Sequence, residues 1–169
     1  EIEDIAPQRK GTAVTRSSGS PMLTQDDIMQ ALAAHTTRAA EKLRSAGLVA
    51  GQVPIFFHTS PFSKSGRPHP ASRTVSISPM TNDTLALIDI AYKCVRSAWQ
   101  GDANGNGSAY SKAGIMLNDL IRSEDAPRSL FDAPATNIEL MAAIDTVNSR
   151  FGKSTLRLGT EGFNRASEI

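Results

Sequence analysis

Two amphipathic helical stripes, each set between strand-like runs, constrain this 169-residue chain more than any other feature. Ile28, Leu32, Ala39 and Leu43 fall on one helical face behind Thr24, whose pairing with Asp27 three residues on resembles a capping box; Gly47 closes the helix. Leu87, Ile88, Ala91, Cys94, Val95 and Ala98 form a second stripe, with Asn82 or Thr81 placed to cap it and Gly101 to end it. A helix with one apolar stripe must bury it against another layer. The flanking runs supply that layer. Thr12 to Ser18 alternates, Val53 to Thr59 is apolar and aromatic, Arg73 to Ser78 alternates Val75 and Ile77 with hydroxyl residues, and Ala109 to Leu117 is a fourth strand. Gly19, Ser20 and Pro21 break the first strand, a Pro/Gly/Ser-rich connector spans Ser60 to Pro70, and Asp102 to Gly107 is a loop.

The order β-α-β-β-α-β predicts an α+β fold of the split βαβ kind: a four-stranded antiparallel sheet with both helices on one face. The other face is left open. Beyond Asp119 the pattern changes to a polar, proline-containing stretch, then Leu140, Ile144, Val147 and Phe151 predict a third helix ended by Gly152. We therefore divide the chain into a linker over 1–8, a domain over 9–119, a tail over 120–136 and a C-terminal helical segment over 137–169.

Charge is segregated along the chain. Residues 1–8 sum to −3, residues 9–118 to +6 and residues 119–169 to −2, within a total of +1. A basic middle between acidic ends suits a phosphate-binding domain. Chance clustering on a solvated surface accounts for the charge alone equally well, since the isoelectric point near 8.2 is lower than nucleic-acid binders usually show. A single cysteine, Cys94, rules out an internal disulfide and fits a reducing compartment. No run of 18 apolar residues occurs and the acidic start is unlike a signal peptide, so a soluble cytoplasmic protein with no membrane partner is expected.

Enzymatic readings find little support. Gly152-Lys153-Ser154-Thr155 looks like the end of a phosphate-binding loop, but the glycine needed five positions earlier is Val147 and a helix precedes it where a strand is required. His35, His58 and His69 lack metal-ligand spacing with one another or with Cys94. Asp26-Asp27 and Glu124-Asp125 are adjacent acids at a helix start and in a loop, an arrangement that does not predict carboxylates converging on two metal ions. No catalytic and no metal-binding residue is assigned. An RNA-recognition module would place aromatics on the open sheet face, whereas the first, third and fourth strands hold only Tyr110 among Thr, Ser, Arg and Lys. Such a face suits phosphates and sugars.

Three segments carry a family resemblance. Ala39-Ala40-Glu41-Lys42-Leu43-Arg44, Thr59-Ser60-Pro61-Phe62 and the run from Tyr110 to Leu120, in that order and spacing, resemble the C-terminal part of the UmuC family of Y-family lesion-bypass DNA polymerases. The resemblance covers nearly the whole chain. It implies that 9–119 is a little-finger domain, a non-catalytic stretch that grips DNA during SOS translesion synthesis. It implies no cofactor for these residues, and Mg2+ for a parent DNA-directed DNA polymerase.

Where the family's first strand ends in Arg-Ser-Phe-Gly, this chain has Arg16-Ser17-Ser18-Gly19, so Arg16, Ser17 and Gly19 take the template-holding positions and Ser18 replaces an apolar contact. Ser111 and Lys112 match positions where little fingers place phosphate-contacting residues. Lys64, Arg67 and Arg73 are added on charge and closeness to the third strand. In the tail, Ser129-Leu130-Phe131-Asp132 resembles a sliding-clamp-binding peptide in its Leu-Phe half, with Pro127 and Arg128 where the pattern has other residues. Leu130 and Phe131 then either seat in a clamp pocket or pack back on their own domain. The partners implied are DNA without sequence preference, the bacterial sliding clamp and a UmuD-like subunit. Two rival classes share the topology: a small-molecule regulatory module that dimerises, and a protein-interaction adaptor.

Overall fold

The structure, a computed structural model, describes residues 11–59, 70–100, 106–127 and 137–162, with backbone only at 12–20 and 106–108. Its elements run β1 (Gly11–Thr24), α1 (Gln25–Ser45), β2 (Leu48–Thr59), β3 (Pro70–Thr81), α2 (Thr84–Ala98), β4 (Asn106–Arg122), α3 (Ile138–Phe151) and a 3-10 turn, Gly159–Glu161. The expected β-α-β-β-α-β order is present, followed by the third helix.

The four strands form one antiparallel sheet in the order β1-β4-β2-β3. Each β-α-β unit is therefore split by a strand of the other. β4 separates β1 from β2, and β2 separates β3 from β4. Both helices pack on one side, where Ile28, Leu32, Leu43, Leu87 and Val95 meet Val53, Ile55, Phe57, Ile115 and Leu117 in a core with each at most 2% exposed. Burying each such large side chain contributes about 1.5–3 kcal/mol.

Local chemistry sets the helix ends. Asp27 N donates to Thr24 Oγ1 at 3.1 Å while Thr24 N and Leu23 N donate to Asp27 Oδ2 at 2.9 and 3.0 Å, so the expected capping box forms. The cap of α2 is Asp83, where the sequence offered Asn82 or Thr81. Asp83 Oδ1 accepts from Leu85 N and Ala86 N; Asn82 turns its amide to Leu48 O, and Thr81 Oγ1 accepts from Asp83 N. Three adjacent capping-type residues compete there, and the contact to β2 takes Asn82 out of contention. α2 stops at Ala98, before the expected Gly101.

β1 also departs from expectation. Gly19-Ser20-Pro21 does not end the strand; β1 continues to Thr24 through register shifts between Ser17 and Met22 and between Met22 and Thr24. Such shifts let a glycine and a proline stay in an edge strand. β4 reaches Arg122, in register with Leu48, past the expected edge at 119. Gly152 follows α3 at φ 110°, a conformation that suits glycine at a helix end.

The segment 137–162 lies against α1 and reaches Tyr92 of α2. Met141 and Asn148 are buried, whereas Leu140 and Phe151 of the apolar stripe are exposed. The contacts are largely polar: Arg44 Nε donates to Asp145 Oδ2 at 2.6 Å, Thr37 Oγ1 to Glu161 Oε1 at 3.1 Å and Tyr92 Oη to the Thr160 carbonyl at 3.3 Å. A helix that docks on the polar outer flank of α1 buries the side that matches that flank.

Candidate nucleic-acid interface

β2 alternates cleanly over its outer half. Val53, Ile55, Phe57 and Thr59 are buried toward the helices, and Gln52, Pro54, Phe56 and His58 are half-buried on the opposite face. Register carries that face to its neighbours. Opposite Gln52, Phe56 and His58 on β4 stand Asn118, Gly114 and Lys112; opposite Gln52, Pro54 and Phe56 on β3 stand Ser76, Thr74 and Ser72. No described element packs over this side of the sheet.

Lys112 sits where three strands meet, in register with His58 on β2 and with Ser17 on β1. It is half-buried, and among the described residues no carboxylate lies within ion-pair reach of it. His58 Nδ1 lies 3.2 Å from the Thr59 carbonyl. Ser111 is the extra residue of a bulge, since His58 pairs with Lys112 but Thr59 with Tyr110, and its Oγ donates to the His58 carbonyl at 3.4 Å.

The bulge corrects the expected place of Tyr110. Shifting the register by one turns Tyr110 from the open face into the core, where it is 0% exposed. Its ring meets Phe57 edge-on at 5.1 Å and Trp99 at 5.5 Å. Burial pushes its phenol up, with the Gln100 backbone hydrogen bond opposing. The open face carries a different aromatic, Phe56, which the continuous apolar run from Val53 to Thr59 concealed.

The other expected site residues fall in separate places. Arg16 is in register with Ala113 and Ser17 with Lys112, while Gly19 lies within the register shift. Arg73 is exposed on edge strand β3, in register with Ile55 and so on the helix side, where its charge acts on the Cys94 thiol. Burial pushes that thiol up, and Arg73 opposes the shift. Lys64, Arg67, Leu130 and Phe131 lie outside the described residues.

Charge separates the two layers. β1, β2, β3 and β4 as far as Asn118 contain no Asp or Glu, while Asp26, Asp27, Glu41 and Asp89 are on the helices and Asp83 caps one. Along that stretch of the strands a negatively charged polymer meets no Asp or Glu; Asp119, further along β4, is the exception. The hydroxyls and amides there are the groups that contact phosphate and sugar without reading bases. Among the described residues no three His, Cys, Asp or Glu side chains come together as a metal site, and no helix is long and apolar enough to cross a membrane.

Comparison with known proteins agrees with this architecture. Residues 9–130 match the impB/mucB/samB family C-terminal domain, and residues 139–168 match DUF4113, a domain of unknown function. The chain is 32% identical over 168 residues to the protein UmuC of Salmonella typhimurium (strain LT2), covering 98% of this chain and 39% of that protein. It is 32% identical over the same length to the protein MucB of Escherichia coli, covering 38% of it. The chain thus spans about two fifths of the length of these relatives. A solved structure, the insertion ternary complex of Dbh DNA polymerase, superposes with a TM-score of 0.51 at 11% identity, covering 66% of this chain and 29% of that one, and so shares the fold. With its family match spanning 9–130 and its sheet and helices in the matching arrangement, the chain belongs to the impB/mucB/samB family, of which it carries the C-terminal domain.

Proposed function

We propose that the open sheet face grips DNA by its sugar-phosphate backbone, as the non-catalytic little finger of a UmuC-like translesion DNA polymerase. The distribution of charge carries this reading: β1, β2, β3 and β4 as far as Asn118 hold no Asp or Glu, Lys112 stands at the junction of three strands, and Asp119 is the one described acid of the domain that lies on a strand. Phosphate contacts fix position without sequence information, so a grip of this kind tolerates a damaged base. The relatives UmuC and MucB and the Dbh polymerase fold support a polymerase as the parent protein.

The nucleotidyl transfer and its Mg2+ have no donor set in the described residues. Asp27 and Asp83 are held in helix caps and Asp145 in an ion pair. Two protein partners belong to the same reading. Leu130-Phe131 is offered to a sliding clamp on its sequence pattern, and a UmuD-like subunit follows from the family alone.

Duplex DNA binding measured against salt tests the proposal. Log affinity should fall against log salt by about one for each phosphate that a Lys or Arg of this face neutralises, equally for unrelated sequences. Salt-insensitive binding, or strong preference among sequences, overturns it.

A further inference from the structure

The open face has an uncharged centre that phosphate contacts leave unused. Phe56 stands on β2 between Gly114 of β4 and Ser72 of β3, its partners in register. Its chain neighbours Ile55 and Phe57 belong to the core cluster; Phe56 does not, and remains half-buried on the other side of the sheet. Glycine across the strand pair offers no side chain to cover the ring. Met116 and Pro54, also half-buried and outside the core, share the face with it. An apolar strip thus runs between Lys112 at one end and the amides of Gln52 and Asn118 at the other.

A nucleic-acid strand presents a matching alternation, with charged phosphates separated by largely apolar sugar rings. We propose that Phe56 is a positioning residue of the DNA grip, packing against deoxyribose of the strand whose phosphate Lys112 holds. This rests on the DNA-gripping reading of the same face. Phosphates alone allow a strand to slide and rock over a flat sheet. A ring set between two phosphate positions fixes height and register. The contact is with sugar, so it is indifferent to sequence and adds affinity that salt does not screen.

The experiment is fluorescence anisotropy of a labelled duplex with the 169-residue chain, Phe56→Ala, Phe56→Leu and Lys112→Ala across a salt series. Phe56→Ala should weaken binding about tenfold at every salt concentration with an unchanged slope, as loss of an apolar contact requires. Lys112→Ala should reduce the slope by about one. Phe56→Leu, which keeps apolar bulk and the fold, should bind within about threefold of the parent chain. If Phe56→Ala binds like a parent chain that still shows the expected salt slope, the Phe56 inference falls and the grip stands. A parent chain that does not bind overturns the grip itself. If Phe56→Leu loses as much as Phe56→Ala, and single strands are affected more than duplex, the ring stacks on bases and sugar packing is wrong.

Discussion

Arg44 of α1 holds Asp145 of α3 in a two-pronged ion pair, Nε to Oδ2 at 2.6 Å and Nη2 to Oδ1 at 2.8 Å. The same guanidinium sends Nη1 to the Asn82 carbonyl and to Thr84 Oγ1, both at 2.8 Å, and so braces the start of α2. The two side chains are 13% and 29% exposed, which limits solvent screening. Arginine suits the place because its planar fork satisfies a carboxylate and two further acceptors at once. The pair joins stretches that match separate families, 9–130 and 139–168.

Asp145→Ala removes one side of that junction and leaves two guanidinium donors without their acceptor. Stability in denaturant should fall by about 1–2 kcal/mol, and amides of α3 should exchange faster while those of α1 change little. Arg44→Lys should cost a similar amount despite keeping the charge. Unchanged exchange in α3 would show that the ion pair does not hold the helix.

Asp27 predicts an acid dependence of stability. Burial pushes its carboxyl up, but hydrogen bonds from the Thr24 backbone and side chain and the Leu23 backbone outweigh this and hold it below its ordinary value. A carboxyl lowered in the folded state adds stability above its unfolded value, and loses that contribution as pH falls through the folded value. Asp27→Asn should therefore cost roughly 1 kcal/mol at neutral pH, and the gap should narrow at a strongly acid pH, below the ordinary carboxylate range. Thermal unfolding at the two pH values checks it; a gap that stays constant contradicts the assignment.

Gly51 and Asp119 share one space. Asp119 has φ 55°, and its Oδ2 lies 2.6 Å from where a Cβ on Gly51 would stand, with Met80 Cε at 2.9 Å. Both atoms end flexible side chains, so Gly51→Ala should cost only about 1–2 kcal/mol. In an Asp119→Gly background that cost should fall by about half or more, a coupling a double-mutant cycle in urea measures. Full additivity would show that Asp119 is not the obstacle.

The helices were legible because a 3.6-residue stripe and a cap are local signals, as Thr24 with Asp27 and the Leu87 to Ala98 stripe demonstrate. The faces of the strands were less so. Period-2 reading assumes an unbroken register, and the bulge at Ser111 sends Tyr110 into the core. A continuous apolar run hides which of its residues point out, so Phe56 could not be told from Phe57 before the neighbouring strands were placed. The docking side of α3 was not legible because Asp145 is drawn to Arg44, far away in the chain, while Leu140 and Phe151 of the apolar stripe lie off that side.

Leu130 and Phe131 offer a test independent of the sheet. Replacing both with Ala should abolish binding to a bacterial sliding clamp, because one or two apolar anchors often dominate such an interface. DNA affinity and melting temperature should stay nearly unchanged. A large drop in melting temperature would place the pair in the domain's own core.

The face that meets DNA decides the account. Lys112 is half-buried on the open sheet side, and Lys42 is exposed on α1 on the other side. Duplex affinity should therefore be compared at one moderate salt concentration for the parent chain, Lys112→Ala and Lys42→Glu. The sheet-face grip predicts that Lys112→Ala weakens binding several-fold for every sequence, while Lys42→Glu, although it reverses a charge, changes it less. A larger loss from Lys42→Glu than from Lys112→Ala would put DNA on the helical side and overturn the sheet-face grip.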